Sequence, residues 1–160
     1  MYEFFPGNYK WSYNTLLAFC GGGQLGDIDR VVSKLQGISG DADWHDAWQD
    51  IADNARQRAR ASTEAPSQYQ NLLLASLYGV ISEHFMTPGT PERLSTYKSV
   101  LADFDAARVV GPFDVERVEV PYENASLPAY YVKGAGESLP ATQPVAIFIC
   151  GLDTTKELWF

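Results

Sequence analysis

Apolar residues change their spacing once along this chain, at Gly111-Pro112. Before that point they recur at steps of three and four residues, which is the period of an amphipathic helix. After it they alternate with polar residues, which is the period of a half-buried strand. The spacing therefore predicts an α/β fold class, with a helical N-terminal region over residues 1–112 and the start of a sheet over residues 113–160.

The first part of the helical region is interrupted by glycine. We expect helices over residues 11–20 and 28–36, with Asp27 as the N-cap of the second one. The intervening Gly21-Gly22-Gly23-Gln24-Leu25-Gly26 matches the dinucleotide-binding pattern G-x-G-x-x-G, with Asp46 twenty residues further on. That pattern needs a strand on either side of it, and the flanking residues favour helices. A glycine turn between two helices is therefore the preferred interpretation.

Three longer helices follow. Asp41 is the expected N-cap of the first, and Trp44 and Trp48 lie on its buried stripe rather than in a cofactor site. The second begins near Pro66 and the third at Thr90, where a capping hydroxyl precedes a proline. Each presents one apolar stripe, so we expect the three helices to share a core.

Charged residues are sorted along the helix that Asp41 begins. Its acids come first, which leaves open a metal site formed by Asp41, Asp43, His45 and Asp46. Positions two apart on a helix point in different directions, so acids that complement the helix dipole are the preferred interpretation and no metal is predicted. Its arginines come last, and a solvated final turn is preferred over an anion site for Arg56, Arg58 and Arg60.

Residues 113–160 contain the strand patterns. Alternating residues from Val115 to Lys133, with a turn at Glu123-Asn124-Ala125, predict an antiparallel hairpin. The six apolar residues Val145–Cys150 predict a third strand, covered on both faces in a parallel sheet. Such a strand needs parallel neighbours reached by crossovers. We therefore expect the chain to be a fragment or truncated product of a longer protein, or its sheet to be completed by another polypeptide.

Composition excludes several partners. Twelve Lys and Arg against twenty Asp and Glu give a net charge of −8, which disfavours nucleic acid. The longest apolar stretch, residues 72–81, is shorter than the ~20 residues of a membrane span, and the first residues lack a basic, signal-like segment. We expect a cytoplasmic protein. Cys20 and Cys150 have no metal-ligand spacing and are expected to be buried thiols.

Seven short sequence features, spread from the N-terminal aromatic residues to the last charged pair, form one pattern. They are Phe4-Phe5-Pro6, Trp11, Trp44 with Trp48, Val120-Pro121-Tyr122, Leu127-Pro128, Gly151-Leu152-Asp153 and Lys156-Glu157. The pattern resembles the α/β hydrolases of the 2,6-dihydroxypseudooxynicotine hydrolase type. It resembles more closely the fungal hydrolases encoded in polyketide gene clusters, such as that of fusarin biosynthesis, and it covers essentially the whole chain.

The resemblance implies a role for each part of the chain. Residues 1–112 would be a helical region of the cap or dimerisation type, and residues 113–160 would open the α/β-hydrolase core with its first three strands. Gly151, Leu152 and Asp153 would form the oxyanion-hole loop, with the Leu152 N–H as the donor. Lys156 would pair with Asp153 and hold this loop. The family needs no cofactor, acts on small molecules through Ser, Asp and His, and often forms homodimers.

One essential element of the family is missing from these residues. A Gly-x-Ser-x-Gly nucleophile motif does not occur in the 160 residues, so the predicted core is truncated before the nucleophile elbow. His45 and His84 lie on helices before the sheet, and no catalytic residue is assigned. We expect the chain to be inactive alone. The alternative hypothesis is a non-catalytic helical interaction module that associates through Trp- and Tyr-rich faces.

Overall fold

Five helices precede a hairpin and a short 3-10 helix in the part of the chain that the structure describes. A computed structural model describes residues 3–134, 144–151 and 154–160. The elements are α1 Tyr9–Cys20, α2 Leu25–Lys34, α3 Asp41–Ala61, α4 Ala65–Glu83, α5 Pro91–Val110, β1 Val115–Tyr122, β2 Ala125–Val132 and the 3-10 helix Lys156–Trp159. None of the described helices has both the length and the apolarity that a membrane span requires.

Helix α4 is the centre of the helical region and lies between α3 and α5. Its C-terminal half, residues 74–83, is buried without interruption. A Cβ at Gly79 would lie 2.7 Å from Val100 Cγ2, so glycine allows α5 to approach α4 closely. At the start of α5 the Thr90 side chain accepts a hydrogen bond from the Arg93 N–H, as the Thr90-Pro91 pattern predicted.

Aromatic side chains fill the space between α1, α3 and α4. Trp44 and Trp48 are both fully buried, and their ring centroids lie 5.3 Å apart. The Trp44 indole also packs against Trp11 at 5.2 Å and donates a hydrogen bond of 2.9 Å to the carbonyl oxygen of Ile81. Both tryptophans are therefore core residues, which confirms the prediction made for them, and only Trp44 has a partner for its indole N–H, since Trp48 Nε1 is buried without one in the described residues.

The glycine-rich segment joins two helices rather than a strand and a helix. The N–H of Gly23 donates to the Ala18 carbonyl at 2.9 Å, and a Cβ on Gly23 would lie 2.6 Å from that oxygen. Gly22 has a φ of +94°. Glycine is thus needed to reverse the chain after α1. The segment lacks the preceding strand of a dinucleotide-binding unit.

The prediction for Asp27 was wrong. Helix α2 begins at Leu25, after Gln24, and Asp27 lies inside it with 1% of its surface exposed. Its carboxylate lies 2.9 Å from Arg30 and 2.9 Å from Arg58, and it accepts a hydrogen bond of 3.1 Å from the Tyr78 hydroxyl. Partners on two other helices thus compensate the buried charge, so Asp27 joins α2, α3 and α4 instead of capping one of them.

The arginines at the end of α3 also differ from the predicted solvated turn. Arg56 lies 2.8 Å from the Asp103 carboxylate on α5, and both side chains are largely buried. Burial raises the pKa of Asp103, and the adjacent Arg56 opposes that rise. Arg58 binds Asp27 and donates 2.8 Å to Asn71 Oδ1. Arg60 is exposed as expected. Arg56 and Arg58, in contrast, link α3 to other helices.

The sheet has two strands in the described residues, where three were expected. Strands β1 and β2 are antiparallel, with Val115 opposite Val132 and a turn at Glu123, whose φ is +51°. Residues 145–150 form no strand, and the side chain of Ile149 is 90% exposed. A strand of this composition is stable only with hydrogen-bonded neighbours and two covering layers, which the described residues do not supply.

The predicted burial of the two cysteines was not found. Cys20 is exposed at the end of α1, and Cys150 is half-buried after the apolar segment. Both thiols are free in the structure. Cys150 shares the incomplete environment of residues 145–150, which accounts for its partial exposure.

Candidate functional site

The segment after the apolar run folds back onto the helical region. The Thr154 hydroxyl donates a hydrogen bond of 3.0 Å to the Gly151 carbonyl, and the 3-10 helix begins after Thr155. Leu158 packs against the buried helical core, and the Phe160 ring lies 4.8 Å from that of Phe104 on α5. These contacts bring the residues that flank the predicted oxyanion-hole loop next to the helices.

Of the three predicted oxyanion-hole residues, Gly151 is described, while Leu152 and Asp153 lie outside the described residues. Gly151 is exposed, and a Cβ placed on it would meet only Thr154 Oγ1, at 3.9 Å. The space beside Gly151 is therefore open within the described part of the chain. The predicted pairing of Lys156 with Asp153 also involves a residue outside the described ranges.

Among the described residues, Lys156 pairs with its neighbour Glu157. The ammonium of Lys156 lies 2.8 Å from Glu157 Oε1 and 5.2 Å from the centre of the Tyr130 ring. The Tyr130 hydroxyl donates a hydrogen bond of 3.3 Å to the same carboxylate oxygen. The Glu157 side chain is completely buried. It therefore fastens the segment after the predicted oxyanion-hole loop to strand β2.

Two tyrosines near Glu157 hold their protons strongly. Burial, followed by the negative charge of Glu157, raises the pKa of Tyr97 to about 12. The same two causes raise the pKa of Tyr130 even further. Both hydroxyls are thus neutral hydrogen-bond donors at physiological pH and cannot serve as bases there.

A groove of about 650 Å³ lies between α1, the junction of α4 with α5, and the residues after Gly151. Its volume is typical of small-molecule sites. Six residues define its chemistry: Tyr9, Tyr13, Asn14, His84, Arg93 and Thr155. The groove thus combines aromatic, amide, imidazole, guanidinium and hydroxyl groups, and Thr154 and Thr155 form its edge on the side of the C-terminal segment.

Asn14 and His84 contact each other in the wall of this groove. The Asn14 amide nitrogen donates 2.9 Å to the Lys10 carbonyl, which leaves Oδ1 directed at His84. His84 Nδ1 is hydrogen-bonded to that oxygen, so Nδ1 carries the proton of the neutral ring. The pair fixes the orientation of the imidazole at the C-terminal end of α4.

The other charged pair of the groove is Glu83 with Arg93. Arg93 Nε binds the buried Glu83 carboxylate, and its Nη1 donates 3.0 Å to the Met86 carbonyl. The charge of Arg93 is thereby compensated.

Lys10, which also lines the groove, has no carboxylate partner among the described residues. The groove therefore has an excess of one positive charge in a chain whose net charge is −8.

His45 lies in an arrangement that resembles a catalytic relay. Its Nε2 lies 3.2 Å from Thr96 Oγ1 and its Nδ1 lies 3.2 Å from Asp46. The Thr96 hydroxyl also lies 3.1 Å from the Glu92 carbonyl, and the Asp46 side chain is 75% exposed. A solvated carboxylate orients an imidazole weakly, and these residues lie outside the groove. His45 is therefore a surface contact between α3 and α5.

A search of the described ranges, 3–134, 144–151 and 154–160, finds no cluster of three or more His, Cys, Asp or Glu side chains that could hold a metal ion. Asp46 and Asp50 of α3 each contact a different nitrogen-bearing side chain. His45 contacts Asp46, and Asp50 further along pairs with Lys34 on α2. These contacts agree with charged residues on a helix surface.

The chain is similar to a curated α/β hydrolase. No family model matches the chain. The chain is 26% identical over 146 residues to the α/β hydrolase gkaG of Penicillium citrinum, an alignment that covers 88% of this chain and 34% of that protein. The chain thus spans about a third of the length of that curated relative. The similarity supports an assignment at the level of the α/β hydrolases and does not distinguish a subtype.

Proposed function

We propose that this chain is the N-terminal portion of an α/β serine hydrolase of a fungal secondary-metabolite pathway, of the polyketide type. Residues 1–112 form its cap or dimerisation region, and residues 113–160 open its catalytic core. The observation that carries the proposal is the similarity to an α/β hydrolase over 88% of the chain. That alignment includes both the helical region and the strand patterns, so it is not a match to helices alone.

In this proposal, the chain supplies the oxyanion-hole loop and one wall of the substrate site. The Leu152 N–H donates to the oxygen that becomes negative when the substrate carbonyl is attacked, and Gly151 leaves room for its approach. Nucleophile, acid and base come from later strands of the complete enzyme. The 160-residue chain alone therefore binds without hydrolysing.

The proposed enzyme is cytoplasmic, acts on a small molecule and uses no cofactor. Neither nucleic acid nor a membrane is a partner, since the charge of −8 repels phosphate. The complete protein associates as a homodimer through its helical region. Size-exclusion chromatography with light scattering measures that association directly.

The transcript downstream of codon 160 tests the proposal. We expect an in-frame continuation that encodes Gly-x-Ser-x-Gly and, after it, Asp and His. A stop codon directly after Phe160 in the mature transcript would overturn the proposal and favour the helical interaction module. That second candidate is favoured by one observation: the buried residues of the main core cluster all lie on α1 to α4, Phe5 and Leu35 excepted.

A further inference from the structure

We infer that the groove between α1 and the α4–α5 junction binds a small molecule with a flat apolar body and one anionic oxygen group, such as a conjugated carboxylate. The inference rests on the proposed function and names the class of substrate for that site. It uses residues of the described chain, and its binding test does not need the catalytic residues.

The flat body is indicated by the aromatic residues of α1. Tyr9 and Tyr13 are four residues apart on one helical face, and their rings stack with centroids 5.9 Å apart and planes 15° from parallel. Tyr9 is 69% exposed and Tyr13 42% exposed, although large aromatic side chains usually bury such surface. Leu17 and Phe85 continue this apolar lining into the groove. Together they offer a ligand a flat apolar surface.

The anionic group is indicated by the charges around the groove. Glu83 compensates Arg93, whereas the Lys10 ammonium has no carboxylate partner in the described ranges. This local positive charge favours an anionic group at this point of an otherwise acidic chain. The His84 ring, oriented by Asn14, lines the same groove. A carboxylate placed here would pair with the Lys10 ammonium, because the His84 Nδ1–H is already donated to Asn14 and the Nε2 of the neutral ring is an acceptor.

An independent observation comes from Thr155. Its hydroxyl oxygen is buried and has no hydrogen-bond partner among the described residues, and Thr155 lines the groove. A buried hydroxyl without a partner costs free energy unless something else binds it. Rotation of the Thr155 side chain toward the groove would present this unpartnered donor to a ligand oxygen.

The test is a titration of the full ¹⁵N-labelled chain with 2-naphthoate, followed by two-dimensional NMR. We expect saturable shifts at the amides of Lys10, Tyr13 and Phe85. The neutral isostere 2-naphthylmethanol should bind about threefold more weakly, because it cannot pair with the ammonium. Acetate, which lacks the flat body, should give no saturable shift below millimolar concentrations.

Matched variants locate the two parts of the site. Lys10→Gln should weaken naphthoate binding about threefold, the effect of one partly exposed charge, whereas Lys98→Gln on the exposed surface of α5 should not change it. Tyr9→Ala should also weaken binding about threefold, and Tyr122→Ala on the hairpin should not. None of these four exposed side chains belongs to the buried core, so the variants are expected to fold.

The inference is overturned if naphthoate causes no saturable shift, if the neutral isostere binds equally well, or if shifts are confined to the exposed residues 145–149. Its failure is distinguishable from failure of the proposed function. If naphthoate does not bind but the transcript encodes a downstream Gly-x-Ser-x-Gly, the inferred ligand class is wrong and the hydrolase proposal stands. If naphthoate binds but the transcript ends at codon 160, the hydrolase proposal is wrong and the inferred ligand class stands.

Discussion

The Tyr130 hydroxyl donates a hydrogen bond of 3.3 Å to Glu157, although 27 positions separate the two residues. Tyr130 lies on β2, and Glu157 lies in the 3-10 helix that follows the predicted oxyanion-hole loop. Because the Glu157 side chain is completely buried, this contact joins the hairpin to the 3-10 helix inside the protein. The position of that segment therefore depends on strand β2.

Removing the Tyr130 hydroxyl should lower stability measurably. We expect Tyr130→Phe to reduce the free energy of unfolding by about 1 kcal/mol, because the buried Glu157 carboxylate loses its hydrogen bond from Tyr130 and keeps only the ion pair with Lys156. Urea denaturation followed by circular dichroism measures the change. Tyr122→Phe, in an exposed position on β1, is the control and should be neutral. Equal effects in the two variants would show that the Tyr130–Glu157 contact contributes nothing.

The high pKa of Tyr97 should make stability fall in alkali. In the folded chain, burial and then Glu157 raise its pKa to about 12, while an unfolded tyrosine ionises near pH 10. The stabilisation is complete below pH 10 and decreases as pH rises toward 12, because the unfolded chain then releases a proton that the folded chain keeps. Urea unfolding at about pH 9 and about pH 11 should show a larger loss for the wild type than for Tyr97→Phe. An identical loss in both would contradict this assignment.

Replacing Asp27 should lower the stability of the helical region more than replacing most of its other acidic residues. Asp27→Ala leaves Arg58 and the Tyr78 hydroxyl without their shared partner, and we expect a cost of about 3 kcal/mol. Thermal and urea unfolding measure it. Asp29, two positions later and exposed, is the matched control, and Asp29→Ala should change stability by less than about 0.5 kcal/mol. A neutral Asp27→Ala would show that its contacts do not join α2 to α3 and α4.

The exposed residues 145–149 should bind hydrophobic dyes. Ile147 and Ile149 are 83% and 90% exposed, and together with Phe148 they form an apolar patch that proteins normally cover. Replacing both isoleucines with Ser should lower the fluorescence of a bound naphthalene sulfonate dye and leave the melting temperature unchanged. Leu127→Ser, at an exposed hairpin position, should leave dye fluorescence unchanged. Unchanged fluorescence in the double variant would mean that the patch is covered in solution.

Local sequence patterns predicted the elements that depend on local contacts. Two such patterns specify helices through residues three or four positions apart. One is the apolar stripe that contains Trp44 and Trp48, and the other is the N-cap pattern Thr90-Pro91. The hairpin was predictable for the same reason, because its two strands are joined by a short turn. Residues 145–150 show the limit of such patterns, since an apolar run forms a strand only when partners are present.

The groove could not be predicted because its residues are distant in sequence. Asn14 and His84 are 70 positions apart and meet only when α1 packs beside α4. One signal was available in the sequence: polar Ser12 and Asn14 follow Trp11 in a predicted helix, and polar residues that become buried need partners. Asp27 was misassigned for a related reason, because its partners Arg58 and Tyr78 lie 31 and 51 residues away.

The most direct test of the hydrolase assignment is labelling with a fluorophosphonate probe. The 160-residue chain and the protein translated from the complete transcript are treated side by side, and the labelled peptides are identified by mass spectrometry. We predict no label on the 160-residue chain, and one label on the complete protein at the serine of a downstream Gly-x-Ser-x-Gly. Serine-directed labelling of the 160-residue chain, or a complete protein that remains unlabelled and hydrolyses no ester, would contradict the assignment.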